Sequence, residues 1–216
     1  MKFTEKELDA MKAAVARAEE RTSAEIVPYV VPASDWYPVA IWRGAGVGVL
    51  VGLALALLAF QFYGGWSLGW LFTGWGTALL ILGTGVVGAL LGAFVPPLKR
   101  LLAGDARMST LVHLRAMQAF VEEEVFATRD RTGVLVFMSL FEHRIEIVAD
   151  TGINQRVESE DWGDIVARIR DGIRSGKLFE GLVEAFDMCG ELLEKKGLEI
   201  RHDDRNELGD ELRARR

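Results

Sequence analysis

The amino-acid sequence predicts an α/β fold that is interrupted by a transmembrane α-helical hairpin. Helix-type and strand-type apolar patterns alternate along the polar parts of the chain. Between Arg43 and Lys99, by contrast, 55 consecutive residues include no Asp, Glu, Lys, Arg or His. A hydrocarbon core of roughly 30 Å is crossed by about 20 helical residues, so this stretch accommodates two spans and a short turn.

The first 31 residues predict one helix and one strand. The sequence TEKE at residues 4–7 matches a capping box, and apolar residues follow it at helical spacing. The next apolar run, AEIVPYVV at residues 24–31, is typical of a strand. Because proline cannot donate to a sheet ladder, Pro28 predicts an edge strand or a bulge.

The uncharged region predicts one span at Gly44–Tyr63 and a second at Leu71–Val95, stopped by Pro96 and Pro97. The polar residues 1–20 do not resemble a signal peptide, so we expect no cleavage. With no ionisable group at membrane depth, the sequence argues against a transport pathway.

Charge predicts the orientation of the hairpin. The link GGWSLGW is uncharged, whereas four cations flank the other end: Arg43, Lys99, Arg100 and Arg107. The positive-inside rule then places both termini in the cytoplasm. Aromatic residues flank both ends as expected interfacial anchors: Trp66, Trp70 and Trp75 at the link, and Trp36, Tyr37 and Trp42 at the charged end.

Glycine recurs every four residues in both spans, at Gly44, Gly48 and Gly52 and at Gly88 and Gly92. Such faces let helix backbones approach closely. The spacing predicts that the two spans pack on each other, with a homo-oligomer through the same glycines as the alternative.

The region after the spans predicts a helix through residues 111–125, a β-hairpin formed by Gly133–Phe141 and RIEIVA at 144–149, and two further helices, from Trp162 and over 179–196. An even number of crossings returns the chain to its original side, so the first strand can pair in parallel with a later one. We therefore expect a discontinuous cytoplasmic domain (1–38 and 98–200), a transmembrane hairpin (39–97) and a charged, loosely held tail (201–216).

The segment RTGVLVFMSLFEHRIEIVADTGI, together with TSAEIVPYVV, Trp162, EGL at 180–182 and NEL at 206–208, resembles the TPM domain family. The layout is similar to its bacterial membrane-protein branch, in which a two-span hairpin follows the first strand. The resemblance implies an α/β/α sandwich with a small mixed sheet. It also implies acidic residues near strand ends, which some relatives use for divalent ions and one is linked to acid phosphatase activity.

The sequence IVADTG at residues 147–152 also reads like the catalytic strand of an aspartic protease. Such enzymes need two aspartates that share a proton on an all-β fold, and a single copy within an α/β pattern argues against that activity. If the outer strands run the same way, Asp150 and Asp35 share one rim, with Glu158 and Asp161 close behind in sequence. These carboxylates predict a calcium or magnesium site. The alternative is that Asp150 only stabilises a turn and the acidic run only opens a helix.

The sequence gives little support for a zinc site, nucleotide binding, a reactive cysteine or a nucleic-acid partner. His113, His143 and His202 lack the spacing of a zinc site, and no glycine-rich loop joins a strand to a helix. Cys189 is expected to be a packing residue. The net charge of −6, without a basic patch, argues against nucleic acid as a partner.

These patterns and the resemblance to the TPM domain family together lead to two functional hypotheses. The first is a membrane-anchored module that acts through another membrane protein, in binding, assembly or regulation. The alternative is a divalent-metal-dependent phosphatase in which Asp150 and Asp35 serve as ligands or as acid and base.

Overall fold

The structure is a computed structural model that describes residues 4–62, 69, 73–198, 207–209 and 211–214. The chain forms two compact units. The first comprises Met1–Ser34 and Ser109–Arg216, and the second is Asp35–Met108. The sheet lies in the first unit, and the long apolar helices lie in the second.

A mixed sheet of four strands, in the order β3-β2-β1-β4, organises the first unit. Strand β1 (Glu25–Val31) pairs in parallel with β2 (Gly133–Ser139) over seven residue pairs, which confirms the predicted parallel pairing. Strand β3 (Arg144–Ala149) pairs antiparallel to β2 as a hairpin. The short β4 (Arg213–Ala214) runs parallel to β1.

Helices cover both faces of this sheet, so the predicted α/β/α architecture is confirmed. One face, which includes Ile26 and Val136, packs with α1 (Glu5–Glu19), α7 (Gly163–Ser175) and α8 (Leu178–Lys195). The other face packs against α5 (Asp105–Glu122). Because side chains alternate along a strand, burial on both faces explains why β1 and β2 are apolar at nearly every position.

Pro28 lies in an inner strand, so the prediction of an edge strand is wrong. The backbone N–H and C=O groups of the even-numbered residues of β1 point away from β2, towards the side of β4. On that side, β4 pairs only with Tyr29 and Val30. At Ile26 the N–H donates instead to Glu19 Oε1 at 2.8 Å. Pro28 therefore falls in a part of the strand where no ladder hydrogen bond is required from it.

The described part of the tail is held against the first unit, contrary to the expectation of a loose segment. The backbone N–H groups of Glu207 and Leu208 donate to the buried carboxylate of Glu25, at 3.1 and 3.2 Å. Arg213 pairs with Glu123 at 2.8 Å. Sequence polarity predicted exposure, but tertiary partners for these polar groups bring the chain back to the sheet.

Two helices of the second unit are long and apolar enough to cross a membrane: α2 (Pro38–Phe62) and α3 (Gly74–Phe94). Helix α2 begins six residues before the predicted span, and the predicted ends at Tyr63 and Leu71 lie outside the described residues, as do Trp66 and Trp70. After α3 ends, Pro96 and Pro97 start a new helix, α4 (Pro96–Ala103). Proline ends one helix but suits the first turn of the next, where no N–H bond is needed.

Glycine contacts join α2 to α3. A Cβ atom added at Gly44 or Gly88 would overlap the backbone carbonyl of the other residue, and one added at Gly48 would overlap that of Thr84. Gly44, Gly48, Gly52 and Gly92 are buried. The predicted packing of the two helices on each other is what the structure shows, while a homo-oligomer through these glycines stays a prediction.

We predict that Gly88→Leu separates α2 from α3, because overpacking a close contact costs about 1–3 kcal/mol or more. Gly83→Leu is the matched control, since no atom lies within 4 Å of a Cβ at that position. Unfolding in detergent, followed by circular dichroism, should show a lower midpoint for the Gly88 variant only. Equal midpoints for the two variants would contradict glycine-mediated packing.

Cys189 is fully buried, and burial raises the pKa of its thiol to about 12. Because the thiolate is the reactive form, we predict that a maleimide at pH 8 leaves the folded protein unlabelled and modifies the unfolded protein. Mass spectrometry of both samples measures this. Rapid labelling of the folded chain would contradict the packing role of this residue.

Candidate functional site

The Asp-Thr-Gly sequence forms a corner at the end of β3. The Asp150 N–H donates to Gly133 O at 2.9 Å, which extends the ladder with β2 by one bond. Its carboxylate Oδ1 accepts from Thr151 N at 2.6 Å and caps the short helix α6 (Thr151–Asn154). The other oxygen, Oδ2, lies 2.8 Å from Arg131 Nε, and the Asp150 side chain is only 4% exposed. Oδ1 is therefore hydrogen-bonded within this corner, whereas the buried Oδ2 has the ion-pair contact with Arg131 but accepts no hydrogen bond from the described residues.

Gly152 fixes the same corner through its backbone. Its N–H donates to Arg131 O at 2.9 Å, and a Cβ at this position would overlap the carbonyl oxygen of Asp130 and lie 2.7 Å from that of Arg131. Arg131 has a positive φ of 60° and places its guanidinium 5.6 Å from the ring centroid of Phe126. The motif thus holds the end of β3 against the turn that precedes β2.

The structure places the other predicted metal ligands in different surroundings. The Glu158 N–H donates to Asp161 Oδ2 at 2.9 Å, at the start of the 3₁₀ turn Ser159–Trp162. The Lys196 ammonium bound to Asp161 lowers the pKa of that carboxyl below its usual value, with help from this backbone hydrogen bond. Asp35 lies in the second unit, where its Oδ2 accepts weakly from Tyr37 N at 3.4 Å.

Strand directions do not place Asp35 and Asp150 on one rim. Because β3 runs antiparallel to β2, Asp150 lies at the sheet edge where β1 and β2 begin. Ser34, directly before Asp35, follows the opposite end of β1. Among the described residues, no group of three His, Cys, Asp or Glu side chains has the arrangement of a metal site. Metal binding by Asp150, Asp35, Glu158 and Asp161 stays a prediction, as does the phosphatase activity that would use it.

A polar cleft of about 360 Å³ lies beside the Asp150 corner, within the first unit. It is bordered by side chains of mixed polarity, among them Ser23, Asp130, Thr132, Gln155 and Arg156. Hydrogen bonds join residues that border the cleft. Thr132 Oγ1 donates to Ser23 O at 2.9 Å, and the Arg156 guanidinium donates to Gly197 O. The cleft offers hydrogen-bond donors and acceptors together with side chains of both charges, which suits a polar ligand rather than an apolar one.

A second polar cluster joins the carboxyl ends of β1 and β2. Ser34 Oγ donates to Ser139 Oγ at 2.9 Å, and Ser139 in turn contacts the buried carboxylate of Glu142. The Ser34 N–H donates to the same carboxylate at 2.8 Å. This cluster was not predicted from the sequence, although a polar residue at the end of an apolar strand and an acid three positions later were visible signals.

Comparison with known proteins supports one family assignment for part of the chain. The TPM domain matches residues 107–192. That match extends from α5 nearly to the end of α8 and so includes the Asp150 corner. Strand β1 and the two long apolar helices lie outside the TPM domain match.

The chain as a whole is also similar in fold to a solved structure. The chain is similar to the NMR structure of the BA42 protein from the psychrophilic bacterium Bizionia argentinensis, with a TM-score of 0.59 and 18% sequence identity. The similarity covers 100% of this chain and 97% of that one. At this identity the likeness shows the fold alone. No curated protein sequence matches the chain.

We predict that Asp150→Ala lowers the free energy of unfolding of the first unit by about 2 kcal/mol, because it removes a helix cap and leaves Arg131 without its carboxylate. Asp150→Asn keeps an acceptor for the Thr151 N–H and should lose less. Glu160→Ala, at an exposed position, is the control and should change little. Chemical denaturation measures all three variants, and an Asp150→Ala variant as stable as the control would remove the structural role of this residue.

Proposed function

We propose that this chain is a membrane-anchored TPM-domain protein of the bacterial inner membrane that acts by binding another membrane protein, in assembly or regulation. Both termini lie in the cytoplasm. The α2–α3 hairpin is the anchor, and the first unit is the module that binds.

The parallel pairing of β1 with β2 is the observation that carries this proposal. Strand β1 precedes the hairpin and β2 follows it, yet seven residue pairs join them in one sheet. Two parts of one sheet lie on the same side of a bilayer. A chain that leaves after β1 and returns before β2 therefore crosses an even number of times, as two helices provide.

The dimensions and surfaces of α2 and α3 support the anchor. Helices of 25 and 21 residues are about 37 and 31 Å long, enough for a hydrocarbon core of roughly 30 Å. Only 6% and 11% of their most apolar windows are buried within the protein. Core helices of a soluble protein bury most of their apolar side chains, whereas these present theirs outward, as contact with lipid requires.

The orientation rests on charge. Arg43, Lys99, Arg100 and Arg107 all flank the end of the hairpin that joins the first unit. Cytoplasmic flanks of spanning helices are enriched in lysine and arginine. The first unit and both termini are accordingly assigned to the cytoplasm.

The polar cleft beside Asp150 is the surface we assign to the partner. Interfaces that form and dissociate are rich in polar contacts at their edges, and this cleft presents hydroxyl, amide, carboxylate and guanidinium groups together. Gln155 is exposed at its border, which makes it a position where the cleft can be filled without disturbing the core.

We predict that the wild-type chain, cross-linked in cells and purified in detergent, co-isolates with a membrane protein, and that Gln155→Trp abolishes this. Arg174→Trp, at an exposed position of α7 away from the cleft border, is the control and should keep the partner. Mass spectrometry identifies the captured protein. A monodisperse, partner-free wild type, or equal capture by both variants, would contradict the proposal.

A further inference from the structure

An apolar groove of about 260 Å³ runs along the second unit, between α2, α3 and α4. Its walls are aliphatic: Val47 and Val51 from α2, Val87 and Leu91 from α3, and Leu98 and Leu102 from α4. The one hydroxyl among the described lining residues is that of Thr84, which donates to the carbonyls of Leu80 and Ile81 at 3.0 and 2.9 Å. The groove therefore offers an apolar packing surface and does not require a polar ligand.

The glycine contacts explain why a groove forms here. Gly44, Gly48 and Gly88 bring the two backbones together but contribute no side chain to fill the space beside the contact. The lining residues on α2 extend over 44–51, which corresponds to about 10 Å along the helix. A narrow channel of this length suits a single flexible hydrocarbon chain. The lining side chains Val47 and Val87 are about half exposed, so the groove is open to the surroundings of the hairpin.

One end of the groove is basic. Arg43 directly precedes the lining residue Gly44, and Lys99 and Arg100 lie between the lining residues Leu98 and Leu102. The Arg43 guanidinium donates to the carbonyls of Leu102 at 2.7 Å and Ala103 at 3.2 Å, so it is held at the end of α4. Such carbonyls at a helix C-terminus are natural partners for a cation.

The charge of the chain is segregated accordingly. The second unit carries four cations and two carboxylates, a net charge of +2, in a chain whose total is −6. The remaining residues therefore carry −8. An anionic membrane surface repels the first unit and attracts the basic end of the hairpin, where each lysine or arginine adds to the attraction.

We infer that the groove binds one acyl chain of an anionic phospholipid, whose phosphate-bearing head group lies against Arg43, Lys99 and Arg100. The inference rests on the proposed membrane location of the hairpin. It adds a specific lipid site to that anchor. Basic pockets beside spanning helices at the cytoplasmic side are suited to anionic head groups, and here an apolar channel continues directly from the basic end.

Native mass spectrometry of the full chain tests this site. The protein is released from bicelles that contain equal amounts of phosphatidylglycerol and phosphatidylcholine with identical acyl chains. We expect one retained lipid per protein, with phosphatidylglycerol favoured at least fivefold. Alkaline extraction of membranes tests the anchor separately: a chain that is released as a soluble protein fails the proposed function, whereas an integral chain without lipid preference fails only this inference.

Matched variants locate the site. Val87→Phe fills the groove and should reduce lipid retention at least fivefold, whereas Val86→Phe, at a neighbouring exposed position outside it, should not. Lys99→Gln with Arg100→Gln should abolish the preference for phosphatidylglycerol. Arg174→Gln with Lys177→Gln removes the same charge from the first unit and should preserve it. Circular dichroism confirms that each variant folds.

Three results would overturn the inference. One is equal lipid retention by the Val87 and Val86 variants. Another is a wild type that retains both lipids equally. The third is a protein dimer without bound lipid whose subunits separate in the Val87 variant, because a second copy of the chain would then be the occupant of the groove.

Discussion

The parallel ladder between β1 and β2 is the contact on which the rest of the structure depends. It joins Glu25 to Gly133 and Val31 to Ser139, so the chain that leaves the sheet at the end of β1 must return to the opposite end, where β1 and β2 begin. The entropic cost of such a closure grows only slowly with loop length. A long insertion is therefore tolerated, provided that it folds on its own, and the glycine contacts of α2 and α3 supply that independence.

The Asp-Thr-Gly corner shows how partners decide the role of a short motif. In an aspartic protease the aspartate faces a second carboxylate, which raises the proton affinity of the pair. In this chain Asp150 faces Arg131 instead, and its second oxygen binds the backbone of Thr151. Gly152 is required because the carbonyls of residues 130 and 131 approach too closely for any side chain. In this chain the Asp-Thr-Gly sequence therefore joins a strand to a neighbouring turn.

Features with a local cause could be predicted from the sequence, and features with a distant cause could not. The Thr4 capping box is present, with Glu7 Oε2 accepting from the Thr4 N–H at 2.7 Å, because both partners lie within one helical turn. The β-hairpin and the two long helices likewise follow from periodicity and length. The hydrogen bonds from the backbone N–H groups of residues 207 and 208 to Glu25 join residues that are more than 180 positions apart in the sequence. Nothing in the local pattern of a charged tail indicates that partner.

The candidate site likewise has features that could be predicted from the sequence and features that could not. Asp150 stood out in the sequence, but the hairpin pattern did not say which of its two strands β1 would run parallel to. The observed pairing of β1 with β2 separates Asp150 from the end of β1 that Asp35 follows. The most direct test of the two-crossing topology is side-specific labelling of single cysteines in oriented membranes, with the buried Cys189 left in place. Cysteines at Lys6 and Glu160 should both react only from the cytoplasmic side, and a cysteine at Thr73 only from the opposite side. Reaction of the first two from opposite sides would contradict a single sheet rebuilt across the hairpin.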